Sequence, residues 1–443
     1  MINKLKAKKL EQKESYKQNK NHKNKHNQNQ NQKQNYSSTH DTDTTASNVD
    51  KLPTQFLFTA FILILVGVIM VYSSSYIYAK EVFHNSSYFF FRQLIFSTIG
   101  ILLIFSIQRI KFDFWYKHGL KIGYFVFFLL LLTIIPGIAP KLKGAHRWLK
   151  FGFFYIQPGE FIKYTLLFPA IYLFDNFDKL TNKERLNYTL CLLFPLLILS
   201  LQPDFGTFSI CILVIAFVWF LSSFSRKFLY GFISVGSVIG IILIFVSPYR
   251  IQRILTFLDP WKDPQKSGFQ IIQSYLAFAN GGILGKGIGN SEEKLFYLPE
   301  AHNDFIFSVT GEELGFVGIV FLVITFIILT YLGFKMAIRS QKRPNMILIA
   351  SVIFTIALQA FLNMGVVLGL LPTKGLNLPF ISYGGSSIIS NCFAIGLMMS
   401  AYKNGLQSES VKTDTSTHVE MENETENEKE VEKKVEVNLP QEI

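Results

Sequence analysis

Residues 298–305 read LPEAHNDF, and they lead from a polar, Gly-rich segment into a long apolar run. The polar segment extends from Ser247 to Gly315, and the residues on both sides of it are apolar enough for membrane helices. Only here does the chain leave the bilayer for long, and it returns at an ionisable residue, Asp304. We therefore predict that Asp304 lies at the membrane surface, at the start of a span.

The composition is that of a membrane protein. Of the 443 residues, 49% are hydrophobic and 15% aromatic, and the mean hydropathy is +0.29 although both ends of the chain are polar. The three cysteines lie inside apolar runs without a CxxC pattern, which predicts buried, unreactive side chains. The sequence contains no RNA- or DNA-binding motif, so we expect no nucleic acid partner.

Charge divides the chain into three parts. Residues 1–51 contain 11 Lys and 5 acidic residues, and residues 404–443 contain 4 Lys and 11 acidic residues. Both segments are poor in large apolar residues and are predicted to be disordered, the first without a cleavable signal peptide. The net charge of +12 therefore rests mainly on residues 52–403. A basic membrane domain favours anionic lipids or phosphate-bearing substrates.

The apolar runs predict an all-α polytopic membrane protein with about ten transmembrane helices. They lie near residues 54–72, 89–107, 119–136, 157–174, 187–201, 206–223, 228–247, 305–333, 346–368 and 379–401. Cationic residues cluster in every second loop, and cytoplasmic loops are typically the cationic ones. This pattern predicts that both termini are cytoplasmic. The large loop 248–304, between helices 7 and 8, is then extracytoplasmic.

Two predicted outer segments are cationic against this rule. They carry Lys141, Lys143, Arg147 and Lys150, and then Arg250, Arg253, Lys262, Lys266, Lys286 and Lys294. Long loops can be exempt from the charge rule. The other explanation is a diphosphate headgroup that must be held on the outer side.

Asp304 is the candidate catalytic residue. A carboxylate at a helix N-terminus can be a simple cap. The polar neighbours, among them His302, a candidate substrate-binding residue, favour instead a partly desolvated base that accepts a hydroxyl proton. Glu312 and Glu313 follow in the same predicted helix, where pairing with a Lys or Arg of another helix is the plainer interpretation.

The remaining candidates are assigned supporting or binding roles. Glu160 and Lys163 have i, i+3 spacing and predict an internal ion pair. Asp204 either caps the next helix or lines the outer cavity. The Gly-rich run 281–290, with Lys286, is not a Walker motif but could approach a pyrophosphate or form a plain turn. Ser382 and Ser386 lack a His–Asp relay and are predicted to pack or to line substrate, and Lys374 could bind phosphate.

Seven motifs together resemble the SEDS family of shape, elongation, division and sporulation proteins, which includes FtsW, RodA and SpoVE. They are GAHRW (144–148), QPGEFIK (157–163), QPDFGT (202–207), GIGNS (287–291), LPEAHNDFIF (298–307), GEELG (311–315) and PFISYGGSS (379–387). The family motif usually reads HTDF where this chain has HNDF, and Ser is usual where this chain has Gly159. The run PTKGL (372–376) resembles the division and sporulation branch, typified by FtsW.

The resemblance implies a peptidoglycan glycosyltransferase of the bacterial cytoplasmic (inner) membrane that polymerises lipid II, with Asp304 as the essential acid. It implies an undecaprenyl-diphosphate-linked glycan as donor, and a class B penicillin-binding protein transpeptidase and other divisome proteins as partners at the division site. Arg147, Lys374 and Lys286 would hold the departing diphosphate, and Mg²⁺ or Mn²⁺ could share that task, although no dedicated metal cage is evident. A RodA-like elongation polymerase, a lipid II flippase and a non-catalytic scaffold are the alternatives.

Overall fold

The computed structural model describes residues 51–135, 137–141, 146–152, 154–202, 204–246, 248–266, 268–292, 301–372 and 375–406. Helices α1 to α13 comprise Lys51–Phe83, Tyr88–Ile107, Phe112–Leu132, Pro158–Thr165, Leu167–Asp175, Asn182–Leu201, Phe205–Leu221, Arg226–Val246, Pro248–Leu258, Phe269–Gly281, Ile306–Arg339, Arg343–Val367 and residues 385–406. Short 3-10 helices occupy Phe177–Lys179 and Pro260–Lys262. The two predicted disordered tails, except Lys51 and residues 404–406, lie outside the described residues.

The prediction of a mostly helical, membrane-type protein is confirmed. Each of the ten predicted spans overlaps one helix, or in one case the pair α4 and α5. Five helices of the described part are long and apolar enough to cross a membrane: α1, α2, α6, α11 and α12. Helix α7 is apolar but shorter. The count of ten spans stays a prediction.

Local sequence explains several helix boundaries. Helix α4 ends at Thr165 and α5 begins at Leu167, because Pro169 has no backbone N–H to donate to the carbonyl of Thr165. At the start of α6, Thr181 and Glu184 form a reciprocal capping box. The polar segment after α8 contains two helices, α9 and α10.

Helix α11 is interrupted at Gly315, whose φ of 67° lies in the left-handed region. The Gly-rich run after α10 fits against this break. Phe316 N–H donates to the carbonyl of Gly282 at 2.9 Å, and Lys286 N–H donates to the carbonyl of Glu312 at 2.9 Å. A Cβ on Gly285 would collide with the backbone of Glu313, so only glycine allows this approach.

A two-stranded antiparallel hairpin precedes α4. Its strands are β1 (Leu149–Phe151) and β2 (Phe154–Ile156), paired with Leu149 opposite Ile156. Gly152 turns the chain between them with φ of 58°. The hairpin places aromatic side chains beside the entrance to α4, at the cavity described next.

Candidate active site

A cavity of about 420 Å³ collects polar and charged side chains from segments that are distant in sequence. Its walls come from α2, the β1–β2 hairpin, α4, the start of α7, and the loops before α11 and α13. The lining residues used below are Arg92, Arg147, Trp148, Gln157, Glu160, Asp204, Thr207, Asn303, Asp304, Gly375, Asn377, Tyr383 and Ser386. The cavity therefore brings together five of the predicted site residues: Asp304, Arg147, Glu160, Asp204 and Ser386.

Asp304 is half-buried in the wall of this cavity. Phe305, rather than Asp304, occupies the N-cap position of α11. Asn363 Nδ2 donates to the backbone carbonyl of Asp304 at 2.8 Å and so fixes its main chain. A Cβ on Gly375 would lie 2.9 Å from Asp304 Oδ2, so glycine leaves the space beside this carboxylate open.

Two guanidinium groups line the same cavity. Arg147 Nε donates to the carbonyl of Gln202 at 3.3 Å. Arg92 lies over the ring of Tyr88 at 4.4 Å and hydrogen-bonds to Tyr383.

The sequence analysis missed Arg92. It lies on an apolar helix, α2, and no motif marks it. The signal that could have found it is the cost of a guanidinium within a span, which usually indicates a function or a charged partner. Together Arg92 and Arg147 provide two cations in the cavity that contains the Asp304 carboxylate.

Hydrogen bonds connect the starts of α4, α7 and α13 in the cavity wall. Asp204 caps α7, since its carboxylate accepts from the N–H of Thr207 at 3.3 Å and from its hydroxyl at 3.1 Å. Gln157 Nε2 lies 3.5 Å from Asp204 Oδ2, and Gln157 N–H donates to Ser386 Oγ at 2.9 Å. Asp204 thus caps a helix and also lines the cavity, which were the two alternatives left open by the sequence.

A buried ion pair extends from the cavity into the bundle. Lys163 Nζ lies 2.6 Å from Glu160 Oε2, and it also donates to Gln359 Oε1 at 2.6 Å. Gln359 Nε2 in turn donates to the carbonyl of Asn377 at 2.8 Å. The chain of bonds links α4 and α12 to the loop that lines the cavity.

Lys286 lies elsewhere, on the Gly-rich run. Its ammonium is 3.1 Å from Glu312 Oε1 and 2.9 Å from Glu292 Oε1. These hydrogen bonds raise the pKa of Lys286, and the bond to Glu292 contributes most. Glu312 is fully buried and also accepts from the hydroxyl of Ser291 and the N–H of Glu292.

Two further candidates support the loop around Asp304 instead of lining the cavity. His302 packs among Tyr78, Phe89 and Tyr383, with ring centroids 4.7–5.9 Å apart. Ser382 Oγ donates to the carbonyl of Asn303 at 2.7 Å and accepts from the N–H of Leu378 at 2.8 Å. Lys374 lies outside the described residues.

The described residues do not build a metal site by themselves. They contain no cluster of three or more His, Cys, Asp or Glu side chains suited to holding a metal ion. Of the three carboxylates that line the cavity, Glu160 already binds Lys163 and Asp204 already caps α7. We therefore assign no chemical step to a cation.

The fold and the cavity define a class: a multi-pass helical membrane protein with a charged cavity of substrate size. The profile of the cell cycle protein family FtsW/RodA/SpoVE matches residues 53–405. The chain belongs to this family.

Relatives and solved structures agree with that assignment. The chain is 39% identical to the probable peptidoglycan glycosyltransferase FtsW of Geobacter metallireducens, over 79% of this chain and 94% of the relative. It is 37% identical to stage V sporulation protein E of Bacillus subtilis, over 76% and 93%. A solved chain from work on polymerization and crosslinking by a peptidoglycan synthase complex matches with a TM-score of 0.64 at 26% identity, over 80% and 98%. The rod shape determining protein RodA of Thermus thermophilus shares the fold, with a TM-score of 0.58 at 21% identity, over 79% and 96%.

Proposed function

We propose that the chain is a peptidoglycan glycosyltransferase that polymerises lipid II into glycan strands of the division septum. The observation that carries the proposal is the cavity that contains the Asp304 carboxylate together with the guanidinium groups of Arg92 and Arg147. A base and two cations are the groups needed to activate a sugar hydroxyl and to stabilise a departing diphosphate. The names of the relatives, which include probable peptidoglycan glycosyltransferases, support the same activity.

In this mechanism Asp304 accepts the proton of the 4-hydroxyl of lipid II as that oxygen attacks the anomeric carbon of the donor glycan. The new glycosidic bond forms as the bond to undecaprenyl diphosphate breaks, with inversion at the anomeric carbon. Arg147 and Arg92 stabilise the negative charge on the departing diphosphate. Lys286 is left out of this step because its ammonium already binds two carboxylates. Lys374 is retained as a candidate on the strength of the sequence alone.

The proposed topology has ten spans in the cytoplasmic membrane, both termini inside, and loop 248–304 outside. The cavity then opens toward the outer leaflet, where lipid II is consumed. The proposed partners are a class B penicillin-binding protein transpeptidase and other divisome proteins. The solved peptidoglycan synthase complex, in which polymerization is coordinated with crosslinking, supports such a partner.

A divalent cation, Mg²⁺ or Mn²⁺, that entered with the substrate would supply further positive charge to the departing diphosphate, because the described residues alone do not build a site for it. Polymerisation measured with EDTA and with each cation restored tests this point. Retained activity in EDTA excludes the cation, and recovery on adding Mg²⁺ or Mn²⁺ supports it.

The flippase alternative requires polar groups through the full depth of the bundle. The buried pair of Glu160 and Lys163 reaches inward from the cavity, which favours this alternative. Glu312 and Glu313, however, are fully buried beside the Gly-rich run and do not line the cavity. These two glutamates thus do not extend a polar path from the cavity through the bundle, and this arrangement favours chemistry over transport.

The decisive experiment compares Asp304→Asn with wild type in liposomes that contain only this protein and purified lipid II. Loss of a general base lowers the rate about 10²–10⁴-fold. Asp259→Asn is the matched control, because Asp259 is an exposed acid paired with Lys262 and does not line the cavity. Polymerisation by Asp304→Asn at the wild-type rate would exclude Asp304 as the base, and translocation of lipid II without polymerisation would favour the flippase.

A depletion experiment separates the two wall-synthesis roles. Filamentous cells after depletion indicate division, and spherical cells indicate an elongation polymerase.

A further inference from the structure

A second charged pocket lies where α7 ends and where α8 and α12 begin. It has a volume of about 620 Å³ and is lined by Ser222–Lys227, Tyr230 and Arg343. This region, here called the α7–α8 cup, takes its residues from the loop between α7 and α8, from the start of α8 and from the first residue of α12. It shares no lining residue with the Asp304 cavity.

The cup has a surplus of positive charge. Arg226, Lys227 and Arg343 line it, and all three side chains are exposed. The nearby acid, Asp175, is almost buried, and its carboxylate is already bound to Arg343 Nε at 3.4 Å and to the N–H of Ser223 at 3.3 Å. One carboxylate opposite three cations leaves two positive charges for a ligand.

Hydrogen bonds to the backbone also stabilise the cup. Arg343 Nη2 donates to the carbonyl of Leu221 at 3.1 Å, which joins the start of α12 to the end of α7. Ser222 Oγ donates to the carbonyl of Trp219 at 2.7 Å and accepts from the N–H of Phe224 at 3.2 Å. The loop backbone is therefore hydrogen-bonded to the hydroxyl of Ser222. Ser223 and Ser225 are exposed next to the three cations.

The surface next to the cup is apolar. Phe228 and Tyr230, near the start of α8, are 65% and 62% exposed. The side chains of Phe232 and Ile233 are exposed as well. A ligand that fits both surfaces has an anionic head and hydrocarbon chains. Cations and hydroxyls next to exposed aromatic and aliphatic side chains are what an anionic phospholipid requires.

We propose that the α7–α8 cup binds the phosphate headgroup of one anionic glycerophospholipid, whose acyl chains lie along α8. The acidic segment of this chain, residues 420–432, is the alternative anionic ligand, but an acidic peptide makes no use of the exposed apolar face. The bound lipid would connect α8 to α12 at the membrane surface. The inference is independent of the activity proposed for Asp304.

The test uses the purified full-length chain and counts bound lipid by native mass spectrometry at increasing phosphatidylglycerol concentration. The variant is Arg226→Gln/Lys227→Gln. The control is Lys111→Gln/Lys117→Gln, which removes the same charge from exposed positions on and next to α3. Each cation near an anionic headgroup contributes about fivefold to binding, so the cup variant, which lacks two cations, is expected to bind about 25-fold more weakly. The control is expected to bind like wild type.

Three further measurements decide the ligand class. Phosphatidylcholine should bind far more weakly than phosphatidylglycerol, and inorganic phosphate at equal concentration should not displace phosphatidylglycerol. Equal losses in the cup variant and the control would overturn the proposal, because they would indicate diffuse attraction to charge. Displacement by inorganic phosphate, or equal binding of phosphatidylcholine, would overturn it too. Unchanged lipid binding in the cup variant, with a cross-link from residues 420–432 lost, would assign the cup to the acidic segment.

Discussion

Replacing Lys163 by Met tests the buried link between the cavity and the bundle. Lys163 is 2% exposed, and its ammonium is bonded to Glu160 and Gln359. Met keeps the length of the side chain but removes the charge, so the Glu160 carboxylate is left buried without its cation. Breaking a buried pair from one side costs about 3–5 kcal/mol. The thermal unfolding of the detergent-purified protein should therefore occur at a clearly lower temperature.

The double variant Glu160→Gln/Lys163→Met separates the pair from general packing damage. Replacing both partners of a buried ion pair by neutral groups is often nearly neutral. The double variant should therefore melt close to wild type, above Lys163→Met. Lys117→Met is the matched control, because Lys117 is exposed and its loss should change stability by about 0.5 kcal/mol or less. An unchanged melting temperature for Lys163→Met, or a double variant less stable than the single one, would refute the assigned pairing.

Four glycine substitutions test packing around the site. Gly375→Ala places a methyl group 2.9 Å from Asp304 Oδ2; lipid II polymerisation should fall about 10²-fold with little change in melting temperature, because a displacement near 1 Å is enough for such a loss. Gly159→Ala meets only ordinary contacts at 3.6–3.8 Å, and it should raise stability by about 0.4–1 kcal/mol in thermal unfolding. Gly285→Ala would place a methyl group in collision with the backbone of α11. Gly289→Ala is the control, because Gly289 has a similar positive φ but no atom near the position of a Cβ. Only Gly285→Ala should prevent recovery of folded protein in gel filtration.

Much of the helical architecture follows from residue type and spacing alone. Apolar runs long enough to span a membrane predicted where the helices lie. Cations in segments predicted to be outside drew attention to Arg147, which the fold places in the cavity of Asp304. The i, i+3 spacing of Glu160 and Lys163 brought these two side chains within bonding distance, because that spacing places residues on one helical face.

Other features depend on contacts that local sequence does not encode. Lys286 sits in a Gly-rich run, a pattern equally suited to phosphate and to a tight turn, and its partner Glu312 lies in a different segment. Gly315 breaks α11 because the backbone of Gly285 packs against it, while a glycine within an apolar run is ordinarily tolerated. Arg92 was hidden in an apolar helix, and its place in the cavity depends on how α2 packs against the loop before α13.

The position of Asp304 is determined by a set of backbone contacts rather than by its own helix. Asn363 Nδ2 donates to the carbonyls of both Asp304 and Leu376, which ties the loop before α11 to the loop before α13. Two more bonds join the same loops, from Ser382 Oγ to the carbonyl of Asn303 and from Tyr383 N–H to the carbonyl of His302. Three successive residues are thus held at their main chain, which leaves the Asp304 side chain to face the cavity.

The far end of the same helical segment is fixed by the Gly-rich run. Residues 306–314 lie between the Asp304 loop and the break at Gly315, where Lys286 and Ser291 bind Glu312. Ser73 of α1 donates to both carboxylate oxygens of Glu313 at 2.6–2.7 Å. A short helix anchored at both ends can hold a carboxylate within the small tolerance that proton transfer requires. The buried acids and the Gly-rich run therefore fix the far end of this helical segment, although they do not line the Asp304 cavity.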